Sequence, residues 1–237
     1  RAAGDRVTQA FPDCKIVGRA PVQCPTLYSI GYGAHEILGI GDKHVTWIHN
    51  TFNMDALMCI DDVACLKGLQ LIAEPTGRET LVKRYGADEQ LVETLGDMFG
   101  VSGMCHILGA IKTAKAYGMG PDDVVVTAAA DGLDRYHSVV ARMQEEYGQL
   151  DEAAAAARIE GVFHAVGTDY VQHATPHIRQ RWHNLKYYTW VEQQGMTVEE
   201  LDAQRDPAWW EKHQQMVTEI DESLIAARKE SGVGIHA

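Results

Sequence analysis

The sequence predicts an α/β protein: a parallel-type sheet flanked by helices, followed by an all-helical C-terminal extension. Three observations carry this reading. The stretch VVVTAAA, Val124 to Ala130, is apolar and rich in β-branched residues, as a strand covered on both faces requires. A helix with one apolar face runs from Ser102 to Gly118 and delivers the chain to that strand through the tight turn GPDD. From Asp151 to the end no strand pattern is visible, and the alanine run Ala153 to Ala157 has high helix propensity. Residues 1–150 therefore read as the α/β portion and residues 151–237 as the helical extension.

The chain opens as the tail of a helix running into a strand at Lys15 to Gly18, and looks like the middle of a domain. Cys24 to Asn53 has little periodicity, and glycines at 31, 33, 39 and 41 let its backbone approach a ligand closely. A connection of that length is usually functional or disordered, and its Ile, Trp and Val content argues against disorder. Behind Asp61 as a cap, Val63, Leu66, Leu69 and Leu71-Ile72 mark a helix that ends before Glu74-Pro75. Two shorter helices are expected at Gly77 to Tyr85 and at Glu89 to Leu95. In the next helix Ser102 is placed as N-cap and Gly118 as the stop. Thr197-Val198-Glu199-Glu200 matches a capping box, and Pro207 opens one long amphipathic helix. SGVGIHA at the end reads as a frayed terminus.

Asp131, next to Gly132, closes the Val124 strand. In open α/β sheets ligands gather beyond the carboxyl ends of strands, so an acid there is a candidate ligand contact. It serves equally well as a cap for a helix starting near Asp134 or as a turn residue.

The 237 residues suffice for a sizeable core, and the 46% hydrophobic and 23% charged fractions are those of a globular chain. No apolar run reaches the roughly 18 residues of a membrane span, so a soluble protein is expected. A net charge of −12 disfavours nucleic-acid backbones and favours a small-molecule partner. Cysteines at 14, 24, 59, 65 and 105 form no CxxC pair or framework, which predicts reduced, cytoplasmic usage. Among the histidines only His173 and His177 stand four apart, and Pro176 between them breaks the helical turn that a shared metal would need. No metal site is expected. GxGxxG after a strand, GxxxxGK[ST] and GxSxG are all absent, and the pairs Asp61-Asp62 and Asp122-Asp123 sit at helix starts or turns.

The succession KIVGRAPVQCPT, GIGDKHVTWIHN and GVSGMCHILGAIKTAKAYGMGPDDVVVTAAADGLDRY resembles the C-terminal half of fold-type II pyridoxal-phosphate enzymes, the cysteine synthase and tryptophan synthase β-like group. Ser102-Gly103 takes the place of that family's SGA helix start, and DGLDRY, Asp131 to Tyr136, the place of its SFGERY segment. The tail WHNLKYYTWVEQQGMTVEELDAQ looks like that of a branch labelled cysteine synthase-like. The resemblance spans about the first 145 residues at family level. It implies that residues 1–150 are the C-terminal part of a cofactor-binding catalytic domain.

It also implies that Gly39, Ile40 and Gly41 line pyridoxal 5'-phosphate, that Ser102 opens a helix whose N-terminus faces an anion or is merely capped, and that Asp131 faces the pyridine nitrogen where the family has Ser or Thr. A carboxylate there favours a protonated ring and a stronger electron sink than a hydroxyl does. The implied activity is a lyase or β-replacing transferase acting on a serine-, cysteine- or threonine-like amino acid. The family's cofactor lysine and phosphate loop precede the strand that starts here at Lys15, and the chain contains neither. An N-terminal half, on a partner polypeptide or upstream in a longer one, is thus expected to supply them, in a homo- or hetero-oligomer. The alternative is a non-catalytic partner or assembly subunit that keeps the fold and associates through its helical tail and Trp209-Trp210.

Overall fold

The computed structural model describes residues 2–232. In chain order it contains α1 (Ala2–Ala10), β1 (Val17–Pro21), α2 (Thr26–Ser29), β2 (Ala56–Ile60), α3 (Asp62–Ala73), α4 (Pro75–Tyr85), α5 (Glu89–Met98), α6 (Val101–Tyr117), α7 (His137–Tyr147) and α8 (Glu152–Arg158). After α8 the chain continues as a π-helical stretch over Ile159–His164. It then forms β3 (Val171–His173), α9 (Pro176–Asn184), α10 (Lys186–Trp190), α11 (Val198–Ala203), α12 (Pro207–Gln215) and α13 (Val217–Ser231). The protein is of mixed α/β class, as the sequence predicts.

The sheet has three strands in the order β1-β2-β3. β1 runs parallel to β2 with Val17 opposite Ala56, and β3 pairs antiparallel to β2 with Ala56 opposite His173. All five residues of β2 are buried, which explains its unbroken apolar sequence ALMCI. Two expectations are corrected here. Residues beyond Asp151 are not all helical, because VQH of β3 joins the sheet; three short, partly polar residues carry too little pattern to be recognised.

The second correction concerns VVVTAAA, which makes no strand. Val124 is 78% and Val126 87% exposed, and the segment lies extended without a ladder partner. Two hydrogen bonds hold it: Arg19 Nη1 donates to Thr127 Oγ1 at 2.9 Å, and His106 Nδ1 donates to the Ala128 carbonyl at 2.6 Å. A β-prone sequence becomes a strand only beside a neighbouring edge, and β1 has β2 as its only described neighbour.

Helix boundaries follow the capping chemistry. Asp61 accepts from Val63 N and caps α3, which ends at Ala73 before Pro75 opens α4. Gly118 ends α6 in the left-handed region, at φ 60°, where a side chain would be strained. The cap of α6 is Gly100; Ser102 lies one residue inside the first turn and makes no cap bond. Pro207 does start a helix, but the expected single long helix breaks at Met216 into α12 and α13. Most of the expected frayed terminus lies outside the described residues, although Ser231 still belongs to α13.

The capping box is complete. Thr197 accepts from Glu200 N at 3.1 Å while the Glu200 carboxylate accepts from Thr197 N at 2.8 Å. Thr197→Ala is expected to cost about 1 kcal/mol in a chemical-denaturation experiment. A loss below about 0.3 kcal/mol would show that tertiary packing, not the cap, sets the start of α11.

The main core lies between α3 and α6, with Leu66, Leu69, Met104 and Leu108 packed against Met143 of α7 and Ile37 of the glycine-rich loop. A buried polar network joins α3 to α7 and α8. Glu74 accepts from Gln70, Gln144 and Leu150 N, and Arg158 donates to Gln70 Oε1. A second core lies on the sheet, where Trp182 of α9 packs with Ala20, Met54, Leu57 and Cys59. Residues after 151 therefore contribute both a strand and a core tryptophan to the sheet. No described helix is long and apolar enough to cross a membrane.

Candidate functional site

The N-terminus of α6 gathers three of the five residues that the sequence singles out. Gly100 N donates to the Asp131 carbonyl at 2.6 Å, which fixes the Asp131 backbone to the first turn of the helix. A Cβ on Gly100 would overlap the Tyr136 ring and come 2.8 Å from Asp131 Oδ1, so only glycine admits this contact. Tyr136 Oη donates to Asp131 Oδ2 at 2.5 Å. Asp131 Oδ1 is buried and has no hydrogen-bond partner. The carboxylate does not cap the turn over Leu133–Arg135, whose cap is Gly132 without a side-chain bond.

Ser102, 7% exposed, stands beside this pair, and a Cβ on Gly39 would come within 2.7 Å of its hydroxyl oxygen. The glycine-rich loop thus reaches the start of α6 because residue 39 has no side chain. Loop position is set by charge as well as by Ile37. Asp62 accepts from Glu36 N at 2.9 Å, and Arg142 of α7 holds Glu36 through two bonds of 2.9 and 3.1 Å. Arg142 keeps the Glu36 carboxyl below its ordinary range, whereas burial pushes that of Asp62 up.

Ile40 and Gly41 face elsewhere. Ile40 leans on the main core and lines a small cleft against β1 with Asp42 and His49. Gly41 packs under the His35 imidazole, which a side chain at 41 would overlap. His35 Nδ1 is buried without a partner. Lys43 stands 5.5 Å over the Tyr32 ring, on a groove of about 390 Å³ shared with His44 and Tyr188.

Sequence reasoning missed Gly100, Tyr136 and His35. Tyr136 lies inside the DGLDRY segment, five residues from Asp131, but nothing in the spacing says that its hydroxyl turns back onto the acid. Burial and the neighbouring carboxylate push the Tyr136 phenol up to about 12, so it remains a hydrogen-bond donor throughout the neutral range. The cluster therefore holds one carboxylate oxygen already bonded and one buried oxygen without a partner at a helix N-terminus. It suits a ligand with a single N–H or O–H donor.

The chain matches no protein-family model, no curated protein and no solved structure.

The donor set can be tested against the cofactor that the resemblance implies. A protonated ring nitrogen fits an orphaned, buried carboxylate oxygen. Six of the nine lysines are engaged in other contacts. Lys112, Lys115 and Lys186 donate to backbone carbonyls, Lys83 pairs with Glu79, and Lys43 and Lys67 lie over Tyr32 and Tyr147. The residues thus fit the nitrogen end of pyridoxal phosphate.

Proposed function

We propose that this chain is one part of a pyridoxal-phosphate-dependent lyase or β-replacing transferase that acts on a serine-, cysteine- or threonine-like amino acid. The observation that supports it is the buried, unpartnered Oδ1 of Asp131, held at the start of α6 by the Gly100 backbone. When bound, the cofactor supplies an electron sink for negative charge at the α-carbon of the amino acid.

Asp131 Oδ1 would accept a hydrogen bond from the protonated ring nitrogen and so favour its charged form. Tyr136 donates to Oδ2 and orients the carboxylate, leaving Oδ1 for the ring. Ser102 and the first turn of α6 offer donors to an anionic group, and Gly39 lets the loop close over them. The anchoring lysine and the phosphate-holding backbone come from a partner polypeptide or from another part of a longer one.

The test begins with natively purified protein, examined for a second polypeptide and for absorbance at roughly 410–430 nm. In material that has both, Asp131→Asn and Asp131→Ser are expected to preserve the circular dichroism spectrum, shift the absorbance and lower turnover by about 10- to 100-fold. Unchanged absorbance and turnover in both variants would overturn the role of Asp131.

A second reading, a non-catalytic association subunit, is favoured by α13. Val217, Ile220 and Leu224 are 57%, 47% and 51% exposed and recur at helical spacing on a helix with no buried residue. The tryptophan pair supports it less, because Trp210 is buried and donates to Gln204 O at 2.8 Å. A complex without the absorbance band would favour this reading.

A further inference from the structure

A cavity of about 190 Å³ lies where α1 meets the 50–53 loop and the corner between α11 and α12. None of its lining residues belongs to the Asp131 cluster. Asp5 is among its lining residues and is 9% exposed. Asp5 Oδ1 accepts from Asn50 Nδ2 at 2.9 Å and from Asn53 Nδ2 at 2.7 Å. Because an ionised carboxylate only accepts, Asn50 must turn its amide nitrogen toward Asp5. Its Oδ1 is then left buried with no partner.

The charges around the cavity are unbalanced. No cation among the described residues forms an ion pair with Asp5, and burial raises its pKa above the ordinary value. Arg205 lines the cavity, but its three nitrogens already donate to Asp202, Gln180 and Asn184. Its guanidinium also lies over the Phe52 ring at 5.8 Å. Glu211 adds an exposed carboxylate at the rim, and Phe52 and Trp210 supply apolar walls. Two acids and an amide oxygen call for a donor with positive charge. Among the described residues no group of three or more His, Cys, Asp or Glu is placed to hold a metal, so an organic cation suits the walls better. Clefts for drug-sized ligands run to roughly 300–1,000 Å³, which limits the occupant to a small molecule.

We propose that this cavity is a second binding site, for the ammonium group of a small primary amine, with Asp5 and Asn50 as acceptors and Glu211 at its mouth. It stands independently of the cofactor reading and would survive the failure of that reading.

The test titrates the full chain with n-butylamine and, in parallel, with n-butyrate and n-butanol, read by calorimetry and by nuclear magnetic resonance of the Asn side-chain amides. Saturable binding of the amine is expected at a Kd of about 1 mM, with no saturation by butyrate or butanol. Asn50→Leu, which removes the orphaned oxygen in a similar volume, is expected to weaken binding at least tenfold. Because that variant also withdraws a donor from Asp5 and could fail to fold, Glu211→Gln on the exposed rim provides a second reading, with affinity about threefold lower. No saturable amine binding, equal binding by butyrate, or amine binding unchanged in either folded variant would overturn the proposal.

Discussion

Trp182→Ala is expected to destabilise the protein by about 3–5 kcal/mol in a denaturant titration, the range for truncating a large aromatic in a close-packed core. The indole is fully buried and fills the face of the sheet between Ala20 on β1 and Leu57 and Cys59 on β2. Its truncation leaves a void lined by a short parallel ladder, which has few other side chains to collapse into it. The polar part of the loss is small. Trp182 Nε1 donates to Gln172 Oε1 at 3.0 Å, and that oxygen keeps a second donor, Arg181 Nη2 at 2.7 Å. Trp182→Phe, which retains most of the ring volume, is expected to cost about 1–2 kcal/mol. A Trp182→Ala loss below about 1 kcal/mol would show that α9 is not what stabilises this face of the sheet.

That prediction falls on the part of the chain that the sequence presents as a helical extension. Helices were legible there and elsewhere because their ends carry local chemistry: Asp61, Thr197, Pro75, Pro207 and Gly118 each act where a cap or stop is expected. Strands were not. ALMCI and VVVTAAA have the same apolar, non-alternating character, yet the first is the centre of the sheet and the second is exposed. What separates them is a neighbouring edge, which is a property of the fold and not of either short segment. Trp182 was hidden for a related reason, since an apolar residue in a polar helix shows no direction from sequence alone.

The candidate site divides in the same way. Position along the chain brought Asp131 and the glycine-rich loop to attention, the resemblance added Gly39 and Ser102 as cofactor contacts, and Gly39, Ser102 and Asp131 meet at the start of α6. Tyr136, Gly100 and His35 became visible only in space, because each acts through a contact with a residue that sequence spacing does not pair with it.

His183 is expected to make the protein lose about 2–3 kcal/mol of stability as pH falls from 7 to 4. Its ring is 1% exposed, packs 5.1 Å from Phe52, and donates from Nε2 to the Leu201 carbonyl at 3.0 Å. Burial first, then the charges of Lys186 and Arg205, press its pKa down to about 4, from an ordinary value of 6.5. Since the folded pKa lies below the unfolded one, the unfolded chain takes up a proton first as the solution is acidified. The contribution is complete above about pH 6.5 and disappears as pH falls through about 4. Other acid groups add their own pH dependence, so the informative quantity is the difference from His183→Gln, in which this component should vanish. Identical pH profiles for the two proteins would refute it.

Lys186 supplies an independent handle on the same coupling. It is fully buried, donates to Trp47 O at 2.9 Å and to Gln204 Oε1 at 2.5 Å, and stands 5.4 Å over the Trp210 ring. Replacing it with methionine removes a buried charge but also leaves those two acceptors short of a donor, a cost of about 1–3 kcal/mol. The same change removes one of the charges that hold His183 neutral. In Lys186→Met the His183 imidazole should therefore titrate at higher pH by nuclear magnetic resonance, and the acid loss of stability, whose onset the unfolded chain sets, should level off at a higher pH and be smaller. A variant that is destabilised with an unmoved His183 titration would leave burial as the cause of the low pKa and remove Lys186 from it.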